Sequence, residues 1–178
     1  MTDIKSIIQA HNRKIMEKED VKTNTTAITC NCRKKEECPL GGGNCRQENI
    51  IYKAVVSSEL ETMEYIGSSG NSLKQRVGAH KTTFNHEKYR NSTRLSSYIW
   101  KLKDRNAIYK IKWSIIEKIG KLNNWGKKML CITCNLERLA IASADRKKAL
   151  NKRSELTGNC PHKRSHFFPK FNFVPNPP

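Results

Sequence analysis

Acidic residues are scarce in this chain of 178 residues: 16 Asp and Glu stand against 34 Lys and Arg, a formal net charge of +18, and the isoelectric point is near 9.8. That deficit argues against a domain built around neutral small-molecule chemistry and calls for a polyanionic partner. No stretch of 18 residues is apolar throughout, so no transmembrane helix and no membrane partner are expected. Met1-Thr2-Asp3-Ile4-Lys5 lacks the basic-then-apolar layout of a secretory signal. The expected compartment is therefore intracellular and reducing. Aromatics are only 7% and all hydrophobic residues 37%, enough for a modest core with little to spare. No internal repeat is visible, and the length suits one domain with arms rather than two domains.

Against that thin core stand seven cysteines, which in a reducing compartment point to metal sooner than to disulfides. Cys30, Cys32, Cys38 and Cys45 form C-x-C-x5-C-x6-C, with Pro39 and Gly41-Gly42-Gly43 supplying turns. The segment is too polar to fold by burial. Four thiolates on Zn²⁺ would replace the missing core. A second group pairs Cys131-x-x-Cys134 with Cys160-x-His162. There the competing reading is that Cys131 and Cys134 are small buried hydrophobes near a helix start.

Periodicity divides the rest. Residues 1–28 carry Ile4, Ile7, Ile8, Ile15 and Met16 at loosely helical spacing, followed by a Thr-rich linker. Residues 29–48 are the cysteine segment, 49–166 an organised domain, and 167–178 an irregular tail rich in Pro and Phe. Within the domain, Ile50–Val56 and Met63–Gly67 read as a hairpin. Ser68-Ser69-Gly70-Asn71 reads as a turn and cap, leading into a helix over about 72–84 with Leu73, Val77 and Phe84 inward. Leu95, Tyr98, Ile99 and Leu102 fall at i, i+3, i+4, i+7 after a cap at Asn91 or Ser92. Ile111, Trp113 and Ile115 alternate as a third strand, and a last helix over 134–150 presents Leu136, Leu139, Ala140 and Ala144. The order β-β-α-α-β-α predicts an α+β fold, a small three-stranded antiparallel sheet flanked by helices.

Several residues carry chemistry. Arg76 and His80, four apart on a helix, share one face and would make a phosphate clamp beside an ionisable group, or simply a solvated basic face. Tyr52 and Tyr65 lie on the hairpin strands, where tyrosines are ordinarily structural. Gly67 permits close backbone approach. Glu137 borders the apolar stripe of the last helix: either it is solvated, or it is half-buried and suits a hard cation such as Mg²⁺. Asn151 falls just past that helix as a C-cap. Lys101, Lys103, Lys110, Lys112, Lys152 and Arg153 belong to a spread basic surface that suits phosphates.

The ordered set Tyr52, Tyr65-Ile66-Gly67, Arg76 with His80, Glu137 and Asn151 resembles the GIY-YIG nuclease family. The Cys-Asn-Cys-Arg and Cys-Pro-Leu runs, Asn49–Ala54, Ser97–Asp104 and Leu150–Leu156 look most like the endonuclease domain of Penelope-like retroelements. The first motif reads Ile50-Ile51-Tyr52 and so lacks the family's glycine. The resemblance implies a DNA endonuclease dependent on Mg²⁺ or Mn²⁺. Glu137 would hold the cation and Tyr52 would orient or deprotonate the attacking water. Tyr65 would position water or phosphate, and Arg76 would neutralise phosphoryl charge. His80 would be a second phosphate contact or a proton shuttle, and Asn151 would hold the geometry. It further implies DNA as partner, a reverse transcriptase domain of the same polyprotein as another, a nick that primes reverse transcription, and a nuclear location. The rival reading is a non-catalytic, zinc-stapled DNA-binding module. An RNA-binding protein ranks third, since no strand of exposed aromatics stands out.

Overall fold

In the computed structural model, residues 30–119, 131–152, 154–157 and 160 are described. The 1–28 arm, the 167–178 tail, His162 and Arg153 lie outside them. Strands β1 (Ile50–Ser58) and β2 (Thr62–Ser69) make the hairpin, followed by helix α1 (Leu73–Asn85), a 3-10 turn (Glu87–Tyr89), α2 (Arg94–Asp104), β3 (Tyr109–Lys118), α3 (Ile132–Ser143) and a one-turn α4 (Ser154–Thr157). The sheet is antiparallel in the order β2-β1-β3. The α+β class and the three-stranded sheet therefore stand as expected. Among the described residues no helix is long and apolar enough to cross a membrane.

Alternation along the central strand sets the layers. Ile50, Tyr52, Ala54 and Val56 are fully buried on one face, packed with Leu73, Val77 and Phe84 of α1, Leu95, Tyr98, Ile99 and Leu102 of α2, and Trp113 of β3. Ile51 points to the other face, where it meets Ile66 and Ile141 of α3. A register shift at Ile51/Tyr52 sets Glu117 and Ile115 as successive partners on β3. This bulge leaves Ile116 unpaired and keeps Trp113 and Ile115 aimed at the main core.

Two boundaries differ from the sequence reading. The cap of α2 is Thr93, not Asn91 or Ser92: its hydroxyl accepts the Ser96 N–H at 3.0 Å, while Asn91 accepts instead from the Ser97 hydroxyl. The last helix ends at Ser143 rather than Leu150. Asp145 stops it, drawing the Lys147 N–H to its own carboxylate at 3.0 Å and the Lys148 and Ala149 N–H groups to its carbonyl. The inward face of that helix differs at one position. Leu136, Ala140 and Ala144 pack on the second core as expected, joined by Ile141, whereas Leu139 is 54% exposed and does not face it.

The chain released by Asp145 closes the free edge of the sheet. Glu64 N–H donates to the Lys148 carbonyl and Leu150 N–H to the Glu64 carbonyl, both at 2.7 Å, a parallel bridge that covers the middle of this edge of β2.

Gly67 has a steric role. It pairs directly with Tyr52 across the hairpin, and a Cβ there would sit 2.6 Å from the Tyr52 hydroxyl and 2.9 Å from its Cζ. Neither can yield, because Tyr52 is 0% exposed. Gly67→Ala is expected to cost about 1–3 kcal/mol, measured by urea unfolding. Tyr52→Phe, which removes the closest atom, should recover part of that loss in the double variant, and additive losses would show that the two residues do not clash.

Candidate functional site

The Tyr52 hydroxyl is the centre of the site. Arg76 Nε donates to it at 3.0 Å, and it lies 2.8 Å from His80 Nε2. Arg76 and His80 reach it because they are one helical turn apart on α1, a helix fixed by the Ser72/Gln75 capping box. Arg76 can only donate, so the tyrosine oxygen accepts from it and its own proton is free to go to His80. The Tyr65 ring closes the group, with centroids 6.4 Å from Tyr52 and 6.0 Å from His80.

His80 is 2% exposed, with Phe84 stacked at 6.0 Å and Trp113 at 5.5 Å. Burial, and then the Arg76 charge, bring its pKa down to about 4. It is a neutral acceptor at physiological pH. The solvated basic face is thus overturned for His80, and a phosphate contact does not suit a ring enclosed in this way. Burial pushes the Tyr52 phenol up, with Arg76 pulling against it. Tyr65 is raised as well, by burial and then by the neighbouring Tyr52. With an ordinary phenol near 10, fewer than about one molecule in a thousand would hold a phenolate at pH 7.

Glu137 comes from α3 on the opposite face of the sheet. It is half-buried, so the solvated reading does not hold. The Ser68 hydroxyl donates to its Oε2 at 2.8 Å. Burial raises its pKa, the Ser68 hydrogen bonds hold it down, Glu155 raises it and Arg76 lowers it. The carboxylate and the guanidinium therefore act on one another at a distance.

Asn151 is not a helix cap. Eight residues beyond α3, its Oδ1 accepts the Ile66 N–H at 2.8 Å and its Nδ2 donates to the Ile66 carbonyl at 2.9 Å. The amide thus continues the edge pairing where the main chain leaves off, and it pins the strand that carries Tyr65 and Gly67. Glu155 fixes its orientation by accepting from Nδ2 at 2.8 Å. Glu155, Ser68 and Trp113 are contributors that the sequence reading missed. Only Glu155 left a signal, its i+4 spacing from Asn151. A shallow cleft of about 400 Å³ lined by Tyr65, Glu155 and the start of α2 opens beside the site.

The thiols gather as two groups: Cys30, Cys32, Cys38 and Cys45, and Cys131, Cys134 and Cys160. In the first, sulfur separations are 3.4 Å for Cys30–Cys38 and Cys30–Cys45 and 3.8 Å for Cys32–Cys45. Zn–S bonds of about 2.3 Å at tetrahedral angles put sulfurs about 3.8 Å apart, whereas a disulfide needs about 2.05 Å. Burial pushes the Cys38 thiol up, but the Gly42 and Leu40 N–H groups and its thiol neighbours outweigh that and hold it near 7. The donor set fits a metal ion such as Zn²⁺. In the second group Cys134 and Cys160 lie 3.6 Å apart; its expected fourth ligand, His162, is outside the described residues.

The basic residues do not gather on one surface. Lys101 and Lys103 belong to α2, over one face of the sheet, whereas Lys110 and Lys112 point from β3 to the other. Lys103 is also committed, its Nζ donating to the Phe84 carbonyl at the end of α1. Lys101, Lys110, Lys112 and Lys152 are exposed. No family model matches the chain, and no curated protein or solved structure matches it.

His80 gives a pH prediction. Its folded pKa is depressed, so between the unfolded value of 6.5 and about 4 the unfolded chain binds more protons and stability falls as pH falls. The loss is about 3 kcal/mol across that window. Urea midpoints of native and His80→Gln protein, which retains an acceptor for Tyr52 but does not titrate, should converge toward pH 4. Parallel curves would mean that His80 is not buried neutral.

Proposed function

We propose that the chain is a DNA endonuclease, dependent on a divalent cation, that hydrolyses phosphodiester bonds. The observation that carries this reading is the Arg76–Tyr52–His80 contact set, with Glu137 within its electrostatic reach. A basic protein of this charge meets nucleic acid readily. What a nuclease further needs is a fixed cation for the phosphoryl oxygens, a route for the water's proton and a carboxylate for a metal.

Arg76 spends Nε on Tyr52 and offers its guanidinium edge to a phosphate, a planar fork that an ammonium cannot copy. Tyr52 is enclosed and protonated, so it does not attack or abstract as a phenolate. It positions instead: its hydroxyl accepts from Arg76 Nε and donates to His80, which holds the guanidinium toward the phosphate. The water oxygen bonds phosphorus and gives its proton to solvent, the bond to the 3′ oxygen breaks, and that oxygen leaves and takes up a proton from solvent. Tyr65 borders the cleft and positions the phosphate, and Asn151 keeps its strand in place. Mg²⁺ or Mn²⁺ held at Glu137 would supply charge to the leaving oxygen. Structural Zn²⁺ would close the cysteine groups. In a retroelement of the kind the sequence resembles, the nick would provide the primer for a reverse transcriptase domain of the same polyprotein, in the nucleus.

The second reading, a zinc-stapled DNA-binding module without turnover, draws on one observation: the Tyr52 hydroxyl has no exposed surface. Conversion of supercoiled plasmid separates the two. Nicked product is expected only with Mg²⁺ or Mn²⁺, and Glu137→Ala and Arg76→Ala should each lower the rate by about 10²–10³-fold with plasmid binding retained. Tight binding without scission by the native chain would leave the module.

A further inference from the structure

The first N–H groups of a helix have no partner within it and must find one elsewhere. In α1 the cysteine segment supplies two. The Leu73 N–H donates to the Gln47 carbonyl at 3.1 Å and the Lys74 N–H to the Cys45 carbonyl at 2.8 Å. The Lys74 side chain adds a third link, its Nζ donating to Asn31 Oδ1 at 3.0 Å. Cys45 therefore faces two ways. Its sulfur sits in the thiol cluster, 3.4 Å from Cys30, and its carbonyl receives the first turn of the helix that presents Arg76 and His80. The residue is 0% exposed, so neither contact yields easily to water.

Little else holds the segment there. Leu40 is its one residue packed against the main core, and the turns 38–45 are built from short-range main-chain bonds. With the thiols uncommitted, the main chain of Cys45 and Gln47 has scant reason to keep its place. With a metal ion drawing Cys30, Cys32, Cys38 and Cys45 together, both carbonyls are fixed.

We propose that a metal ion bound by Cys30, Cys32, Cys38 and Cys45 positions α1, and with it Arg76 and His80, through the main-chain carbonyls of Cys45 and Gln47. The cluster is then a splint on the site rather than a separate module. Its importance for phosphate chemistry rests on the endonuclease reading, but the anchoring itself does not.

The test takes the full chain loaded with Zn²⁺, stripped by a chelator and reloaded, and follows amide hydrogen exchange. Loss of the two capping bonds should speed exchange at Leu73 and Lys74 by about tenfold, while amides of α2 change less than about twofold and Zn²⁺ restores protection. Unchanged exchange in α1 overturns the proposal. An equal rise in α1 and α2 also overturns it, since the metal would then hold the whole fold. Lys74→Pro removes both the N–H that the Cys45 carbonyl accepts and the Nζ link to Asn31, and leaves every thiol in place, at a first-turn position where proline is tolerated. It should keep its zinc, lose Leu73 protection and nick plasmid about tenfold more slowly at saturating DNA with KM unchanged. Full protection of Leu73 in this variant, or a nicking rate equal to that of the native chain, overturns the positioning role. If the native chain does not nick at all, the endonuclease reading fails while the exchange result still decides the splint.

Discussion

One contact organises this molecule: a tyrosine hydroxyl lying where a neighbouring residue has no side chain. Tyr52 sits on the central strand, opposite Gly67, and its phenol occupies the space a Cβ would fill. This places the hydroxyl at the rim of the core, where α1 delivers Arg76 and His80 to it. The ring beneath packs with Trp113 at 6.0 Å, so the polar end is held by an apolar body. Because Tyr52 depends on the position of Gly67, it depends on β2, which is an edge strand. The chain meets that need twice, with main-chain pairing at Glu64 and with the Asn151 amide at Ile66.

The electrostatics follow from the same enclosure. Putting Arg76 beside a buried histidine would ordinarily set two cations together. The burial that creates the problem also removes it, since it favours the neutral imidazole. A neutral His80 can accept a hydrogen bond from Tyr52, whereas a protonated one would repel Arg76. Glu137 comes from the far face and acts on Arg76 at a distance, and its pKa is raised chiefly by burial. A cation there would lower it again.

Local elements were legible in the sequence, and long-range partners were not. The period-two run at Ile50–Val56 and the i, i+3, i+4, i+7 set at Leu95–Leu102 each have one consistent buried face, and both emerged as read. In α3, Leu136, Ala140 and Ala144 were read correctly as inward but Leu139 was not, because Ile132, Leu136 and Leu139 form one apolar stripe and Ile141 lies across from it, so periodicity does not fix the centre of the face. What selects it is Ile66 and Ile51 on the sheet, which turns Glu137 inward. Asn151 was misplaced for a related reason. A cap is a local role that spacing can suggest, but an amide completing a strand 85 residues away has no local signature. The convergence of Tyr52, Arg76 and His80 was legible only as a set of residue types in order, because hydrogen bonds between a strand and a helix leave no periodicity.

The two thiol groups belong to this arrangement by their positions. α1, which carries Arg76 and His80, starts against Cys45; α3, which carries Glu137, starts at Cys131, with Cys134 in its first turn and the Cys160 sulfur drawn to it. Both helices that bring charge to the site thus begin at a cysteine cluster. The alternative anchor, apolar packing, is limited here: the second core consists of Ile51, Ile66 and Ile141 with a few partly buried neighbours. With a hydrophobic fraction of 37% and a charge of +18, the chain has little apolar surface with which to fix helix ends and much self-repulsion to oppose it. A metal held by thiolates fixes a helix terminus with almost no apolar area. It is the kind of anchor that a small, strongly basic domain can use without covering its charged surface.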